Sequence, residues 1–202
     1  MIQVHHLNRS RSTRVIWLLE ELGVPYEVVR YERDPVTNRA PDELKAIHPL
    51  GKAPAIRDGD AVLVESGAIV EYLLRKYGNG RLAPAPDSPE YPRYLQWLHF
   101  AEGSAMLPLL LNMFLDRQPL PEGYFLTGFA ADERRKLLDY LESSLQGQDY
   151  LLGAEFTAAD IMMITVLQLA WMQGALEGYR NLPAYLGRLQ RRPAFQKAAE
   201  YQ

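Results

Sequence analysis

Two short blocks of the sequence carry residue types that suit a small peptide-like ligand. The first is His48–Ile56 (HPLGKAPAI), and Glu65-Ser66 follows at the start of a helix-periodic run. Lys52 is a cation, and Ala53 offers a backbone edge beside a proline. Glu65 and Ser66 place an anion and a hydroxyl at a helix N-terminus, where the helix dipole favours a carboxylate. Together these groups suit a zwitterionic ligand that carries two carboxylates.

The composition restricts the chemistry further. The chain has 202 residues and no cysteine, so it cannot form a disulfide, a dithiol redox centre, a zinc-thiolate site or a cysteine nucleophile. A thioredoxin-type or glutaredoxin-type oxidoreductase is therefore excluded. Any thiol chemistry must use a thiol that the ligand supplies.

Charge and hydropathy bear on the partners and the cellular location of the protein. Its 22 Lys+Arg against 25 Asp+Glu give a net charge of -3 without a basic run, which argues against nucleic-acid partners. The N-terminus lacks a signal-peptide pattern, and no stretch approaches the roughly 18 apolar residues of a membrane span. We expect a soluble, cytoplasmic protein with no membrane partner.

The four histidines are His5, His6, His48 and His99. They lack metal-ligand spacing, and neighbouring residues of a strand point to opposite faces, so His5 and His6 cannot easily share a metal. The pattern indicates structural roles for all four, and we expect no metal.

Apolar periodicity divides the chain into two domains and a linker. Residues 1–78 predict the order β-α-β-α-β-β-α, with Gly23 ending the first helix and Asp58-Gly59-Asp60 turning a hairpin. Residues 79–90 are rich in glycine and proline and predict a linker. Residues 91–202 predict an all-helical domain, with helices over Tyr91 to Leu115, Ala130 to Leu145, Ala158 to Met172 and Leu182 to Arg191, and then a short tail.

Two features of the helical part bear on packing. Pro108 falls inside the first long helix and should kink it. The apolar side chains around it, among them Met106, Leu110 and Met113, are candidates for a hydrophobic ligand pocket, with ordinary core packing as the alternative. Thr157 and Asp160 form a variant capping box, which is a folding signal.

Three blocks together carry a family resemblance. They are Ser10–Gly23 (SRSTRVIWLLEELG), Gly51–Pro54 with Glu65-Ser66, and Thr157–Asp160 (TAAD). In their order and spacing the chain resembles the soluble, cytosolic-type glutathione S-transferases, as a bacterial member of open class, over nearly its whole length. The resemblance implies the glutathione transferase fold: an α/β thioredoxin-like N-terminal domain that holds glutathione, and an all-α C-terminal domain that lines the electrophile pocket. It also implies a homodimer.

The resemblance assigns the middle and one end of glutathione. It implies that Pro54 is cis and turns the backbone of Ala53 to pair with the cysteinyl part, although the residues alone would favour a trans proline in an ordinary loop. Glu65 and Ser66 match the pair that holds the γ-glutamyl end. The alternative is that Ser66 is a helix N-cap and Glu65 a strand-end charge.

The other end is assigned to two cations. Lys52 and Arg39 are placed to meet the glycyl carboxylate of glutathione. Arg39 lies in a loop rich in charge, where a solvated side chain is the common outcome.

The residue that ionises the thiol is less clearly marked. A free thiol has a pKa of about 8.5, so the protein must supply a donor or a cation beside the sulfur. The first tyrosine is Tyr26, too late for the tyrosine-type classes, and the column where other classes place serine or cysteine falls on Arg9. We choose Ser10 first and Arg9 second, with Ser12 also available and Arg11 adding charge. Alternatively, both serines are helix caps and the arginines face solvent.

The predicted function is a glutathione transferase. It would conjugate the thiolate of glutathione, its co-substrate, to a hydrophobic electrophile, or use glutathione to reduce peroxides, in a detoxification role. The alternative is a non-catalytic protein-interaction module of the same fold, which the arginine at position 9 would permit.

Overall fold

The protein is described by a computed structural model that covers residues 1–117 and 120–201. The chain divides into two compact units. The first comprises Met1–Ala83 together with the C-terminal segment from Gln190 onward, and the second is Pro84–Leu189. The first unit is α/β, and the described residues of the second are helices and loops.

Over residues 1–78 the observed elements follow the predicted order. The elements of the described chain are, in chain order, β1 (Ile2–Leu7), α1 (Ser12–Leu22), β2 (Tyr26–Tyr31), α2 (Glu43–Ile47), β3 (Ala55–Asp58), β4 (Ala61–Val64), α3 (Ser66–Tyr77), α4 (Tyr91–Phe100), α5 (Met106–Leu115), α6 (Phe125–Ser144), α7 (Ala158–Met172), α8 (Asn181–Gln190) and α9 (Pro193–Ala199). A π-helical turn, Ala101–Ala105, joins α4 to α5.

The sheet of the first unit has the strand order β2-β1-β3-β4. Strands β1 and β2 are parallel, whereas β3 runs antiparallel to both β1 and β4. Gly59 has a φ of 62° in the β3–β4 turn, and Gly23 has a φ of 66° at the end of α1. Both glycines thus adopt the left-handed backbone that the sequence predicts for a hairpin turn and a helix end. The topology is that of the predicted thioredoxin-like domain.

Helix α9 belongs to the first unit, which corrects the predicted domain of residues 91–202 and the predicted tail. Its residue Phe195 packs edge-on against Trp17 of α1, with ring centres 5.1 Å apart. Arg192, just before the helix, donates from Nε to Glu21 Oε1 at 2.6 Å and from Nη2 to Glu21 Oε2 at 2.9 Å. The C-terminal residues pack here because α1 offers them an apolar ring and a carboxylate.

This ion pair gives a prediction about stability. Replacing Arg192 by alanine should lower the free energy of unfolding by about 1–2 kcal/mol, because a bidentate pair with side chains 27% and 11% exposed is worth more than a solvated one. Urea unfolding at neutral pH measures the change. Arg191, the exposed residue next to Arg192, provides the control. Arg191→Ala should change the free energy of unfolding by less than about 0.5 kcal/mol. Equal effects of the two variants would show that the pair stabilises nothing.

The second unit follows the predicted helices with two differences. Helix α6 begins at Phe125 rather than Ala130, so its first two turns carry the exposed rings of Phe125 and Phe129. An apolar-periodicity argument does not assign these rings to a buried face. Near Pro108, where the sequence predicts a kink, the helical run contains a π-helical turn that ends at Ala105. A proline ring clashes with the carbonyl four residues earlier, which here is Ser104 in that turn.

One described helical run, Tyr91–Leu115, is long and apolar enough to cross a membrane by length and composition, with 25 residues and a mean hydropathy of 1.3 over an 18-residue window. The expectation that no segment approaches this length and composition is therefore wrong. The core helices of soluble proteins satisfy the same two measures. Within this run Trp97, Leu98 and Leu109 are fully buried, so it supplies part of the core of the second unit.

Candidate functional site

Strand register brings three of the predicted segments to one end of the sheet. His5 near the end of β1 pairs with Ala55 at the start of β3, and Ala55 pairs with Val64 at the end of β4. The loop after β1, the segment 51–54 and the Glu65-Ser66 pair therefore share that end. The register explains how residues far apart in sequence can form one site.

The loop after β1 is held in part by Arg33, which lies two residues beyond the end of β2. The Nε of Arg33 donates to the carbonyl of Asn8 at 3.2 Å, and its Nη2 donates to the carbonyl of Arg9 at 3.3 Å. The backbone N–H of Arg33 also donates to Asn8 Oδ1 at 3.1 Å. These bonds support a left-handed backbone at Arg9, with a φ of 50°.

Ser10, Ser12 and His6 are linked by hydrogen bonds in a row that begins in this loop, which we call the serine chain. The two Oγ atoms are 2.6 Å apart, and Ser12 Oγ is 2.8 Å from Nδ1 of His6. On the other side of the imidazole ring, Nε2 lies 2.5 Å from the carbonyl oxygen of Tyr201. Ser12 and His6 are buried, whereas Ser10 is partly exposed, so Ser10 is the accessible end of the chain.

Arg9 is exposed, and its Nη2 donates to Asn38 Oδ1 at 3.2 Å. Burial, followed by the charges of Arg9 and Arg11, lowers the pKa of Arg33, so positive charge accumulates around this loop. Such a cationic neighbourhood favours an anion such as a thiolate beside Ser10.

The start of α3 differs from the N-cap alternative. Glu65 occupies the N-cap position, and Ser66 is the first residue of the helix. Ser66 is buried and its Oγ accepts a hydrogen bond from Nη1 of Arg14 at 3.1 Å, while the side chain of Glu65 is exposed. Glu65 has a φ of 69°, an unfavourable conformation for a non-glycine residue that is enriched at binding and active sites.

The segment before β3 contains the predicted cis bond. The Ala53–Pro54 peptide is cis, which confirms that prediction. Pro54 is buried, Ala53 is partly exposed and Lys52 is exposed. Arg39 is exposed in the loop after β2, where its carbonyl accepts a hydrogen bond from the N–H of Asp34 at 2.9 Å.

The proposed pocket residues lie on α5 at positions that share one face. Met106 is buried, which agrees with the core-packing alternative, whereas Leu110 and Met113 are partly exposed. A cavity of about 520 Å³ in the same unit is lined by other residues, including Leu115 and Phe125. Within residues 1–117 and 120–201, no three histidine or carboxylate side chains are grouped to hold a metal ion.

Sequence reasoning missed three residues of this arrangement. Arg14 holds Ser66, Arg33 holds the loop after β1, and His6 ends the serine chain. Arg14 left a signal, since a charged residue beside the apolar run Val15–Leu19 is costly to bury without a partner. The other two depend on contacts that the sequence does not display.

Comparisons with known proteins agree over both units. Residues 1–75 match the family described as "Glutathione S-transferase, N-terminal domain", and residues 129–193 match "Glutathione S-transferase, C-terminal domain". The chain is 36% identical to glutathione S-transferase 3 of Schizosaccharomyces pombe, with 99% of this chain and 87% of that protein covered.

Solved structures show the same similarity. A glutathione S-transferase from Actinobacillus pleuropneumoniae is 35% identical with a TM-score of 0.90, covering 99% of this chain and 92% of that one. A sphingomonad glutathione S-transferase complexed with glutathione is 26% identical with a TM-score of 0.78, covering 98% and 97%.

Proposed function

The chain belongs to the glutathione S-transferase family, and from that premise we propose that it binds glutathione on the first unit and transfers the thiolate to a hydrophobic electrophile or reduces a peroxide with it. The observation that carries the proposal is the strand register, because it brings Ser10, the Lys52–Pro54 segment and Glu65-Ser66 to one end of the sheet. Since the chain has no cysteine, the thiol must come from glutathione.

We assign the parts of glutathione as follows. The γ-glutamyl end binds at the start of α3, where the helix dipole and Ser66 favour its α-carboxylate and Glu65 pairs with its α-ammonium. The cysteinyl backbone pairs with Ala53 beside Pro54. The buried bond from Arg14 supports this assignment because it fixes Ser66 and adds positive charge.

The remaining assignments concern the glycyl end, the sulfur and the electrophile. Lys52 and Arg39, both exposed cations, bind the glycyl carboxylate. Ser10 faces the sulfur, with Arg9 and Ser12 in support. The electrophile contacts Leu110 and Met113 of α5.

We also propose a cytoplasmic homodimer that acts in detoxification, on the basis of family membership. Light scattering on the purified protein would give its mass, and a monomer at micromolar concentration would contradict the dimer.

Calorimetric titration with glutathione separates this proposal from its rival. The non-catalytic interaction module, favoured by the arginine at position 9, predicts no measurable affinity. We expect binding together with transfer to an electrophilic aromatic substrate. Absence of both would leave the interaction module as the better description.

Lys52 provides a test of the binding assignment. Lys52→Ala should weaken glutathione binding about tenfold, because a charge-assisted contact with a carboxylate is lost at an exposed position. Titration calorimetry measures the dissociation constant. The control is Lys45→Ala, since Lys45 is also exposed in the first unit but is paired with Asp42 at 2.6 Å. If both variants weaken binding equally, Lys52 acts only through the net charge.

A further inference from the structure

The serine chain has a direction that its final acceptor determines. The carbonyl of Tyr201 accepts but cannot donate, so Nε2 of His6 carries a hydrogen. In the neutral imidazole Nδ1 then has a lone pair, and Ser12 donates its hydroxyl hydrogen to it. The carbonyl of Leu7, at 3.4 Å from Ser12 Oγ, is a more distant acceptor. Because Ser12 has one hydroxyl hydrogen, its 2.6 Å bond with Ser10 must be donated by Ser10.

This direction conflicts with a simple donor role for Ser10. A hydroxyl that stabilises a thiolate has to donate to the sulfur, but the hydrogen of Ser10 points inward while His6 is neutral. Ser10 can instead accept a hydrogen bond from an incoming thiol. The accessible oxygen of Ser10 is then connected, through buried Ser12, to a buried imidazole that has a free lone pair when neutral.

We propose that His6 is the acceptor for the thiol proton of glutathione, reached through Ser10 and Ser12, and this inference rests on the proposed function. The S–H bond breaks, its electron pair stays on sulfur, and its proton bonds to Ser10 Oγ. The former hydroxyl proton of Ser10 passes to Ser12 Oγ, and that of Ser12 passes to His6 Nδ1. The products are a thiolate that accepts a hydrogen bond from Ser10 and an imidazolium that donates to Ser12 and to the Tyr201 carbonyl.

The surroundings of His6 favour its neutral form before glutathione binds. Burial lowers the pKa of His6, the hydrogen bond to the Tyr201 carbonyl raises it, and the charge of Arg30 lowers it, with a lower pKa as the net result. Arg30 is the register partner of His6 on β2, and the ring of Tyr201 lies edge-on at 6.0 Å from that of His6. From α1 the facing group is the Ser12 hydroxyl. The ring is therefore neutral before glutathione binds, and a bound thiolate favours its protonation by Coulomb attraction.

Two neighbouring histidines of β1 allow a matched pair of variants. His6→Asn keeps an amide near the position of Nδ1 but cannot take up a proton. His5→Asn is the control, because His5 is also a buried histidine of β1, is hydrogen-bonded to Tyr31 Oη at 3.0 Å, and points to the opposite face. The ultraviolet absorbance of the bound thiolate against pH measures how far the thiol is ionised. Calorimetry in buffers of different ionisation enthalpy measures how many protons are released on binding.

We expect the unmodified protein and His5→Asn to form the thiolate near neutral pH with almost no proton released to the buffer. In His6→Asn the bound thiol should stay protonated at that pH. Its kcat/KM should fall about a hundredfold, a typical contribution of proton transfer to a positioned group, while the glutathione dissociation constant changes less than about threefold.

Opposite results would separate the two proposals. If the unmodified protein fails to bind glutathione, the proposed function fails, and so does the proton relay from the thiol through Ser10 and Ser12 to His6. If it forms the thiolate but releases one proton, or if His6→Asn ionises the thiol like His5→Asn, the relay is wrong and the transferase function stands. Should His6→Asn not fold, Ser12→Ala interrupts the chain without altering β1, and an unchanged thiolate in that variant overturns the relay.

Discussion

Replacing Ser10 by alanine should lower kcat/KM for thiol transfer about 10² to 10³-fold, which is the usual cost of removing one donor from a developing or bound anion. Ser10 is the partly exposed member of the serine chain, so its hydroxyl is the one that the sulfur can reach. The glutathione dissociation constant should change little, because the contacts assigned to Lys52, Glu65 and Ser66 remain. Steady-state kinetics with varied glutathione separates kcat from KM.

Two further variants sharpen this expectation. Ser10→Thr keeps a hydroxyl and should retain more activity than Ser10→Ala. Arg9→Ala should cost about tenfold or less, because the Arg9 guanidinium is exposed and bonded to Asn38, so its charge is screened. If Arg9→Ala loses activity while Ser10→Ala keeps it, the arginine activates the thiol. Unchanged rates in both variants would remove both residues from the mechanism.

Much of the fold was predictable from the sequence because its signals are local. Gly23 and Gly59 adopt the left-handed backbone that a helix end and a hairpin turn require. The apolar period of α7 predicted that the helix runs from Ala158 to Met172. Its start is marked locally by a capping box. Helix α9 escaped prediction, since its short sequence is stabilised by contacts with Trp17 and Glu21 more than 170 positions earlier.

The same distinction between local signals and long-range contacts applies to the residues of the site. The cis bond before Pro54 and the Glu65-Ser66 pair follow from contiguous residues that the family resemblance identifies. His6 could not be assigned a role from the sequence, because strand alternation gives its face but not the partners that reach it. Those partners are Ser12 and a backbone carbonyl 195 positions away. The resemblance also points to a column occupied by Arg9, whereas the hydrogen-bonded hydroxyl belongs to the next residue.

The capping box of α7 has the largest expected effect on stability. Asp160 is fully buried and its carboxylate accepts four hydrogen bonds. Oδ1 accepts from the N–H of Leu151 at 3.0 Å and the hydroxyl of Tyr185 at 2.5 Å. Oδ2 accepts from the N–H and the hydroxyl of Thr157 at 2.8 and 3.1 Å. Burial raises the pKa of this carboxyl, and the four donors counteract that effect.

Asp160→Ala should therefore lower the free energy of unfolding by about 3–5 kcal/mol, since it leaves buried donors without an acceptor and opens a small cavity. That is a large part of the 5–15 kcal/mol that stabilises a typical domain, so reduced soluble yield is expected as well. Urea unfolding followed by circular dichroism measures the loss.

Two variants serve as comparisons. Thr157→Ala, which keeps the backbone donors paired, should cost about 1 kcal/mol. Glu155→Ala, an exposed carboxylate in the same loop, should cost less than about 0.5 kcal/mol. A loss for Asp160→Ala no greater than for Glu155→Ala would mean that these donors find other acceptors, and that packing alone fixes the start of α7.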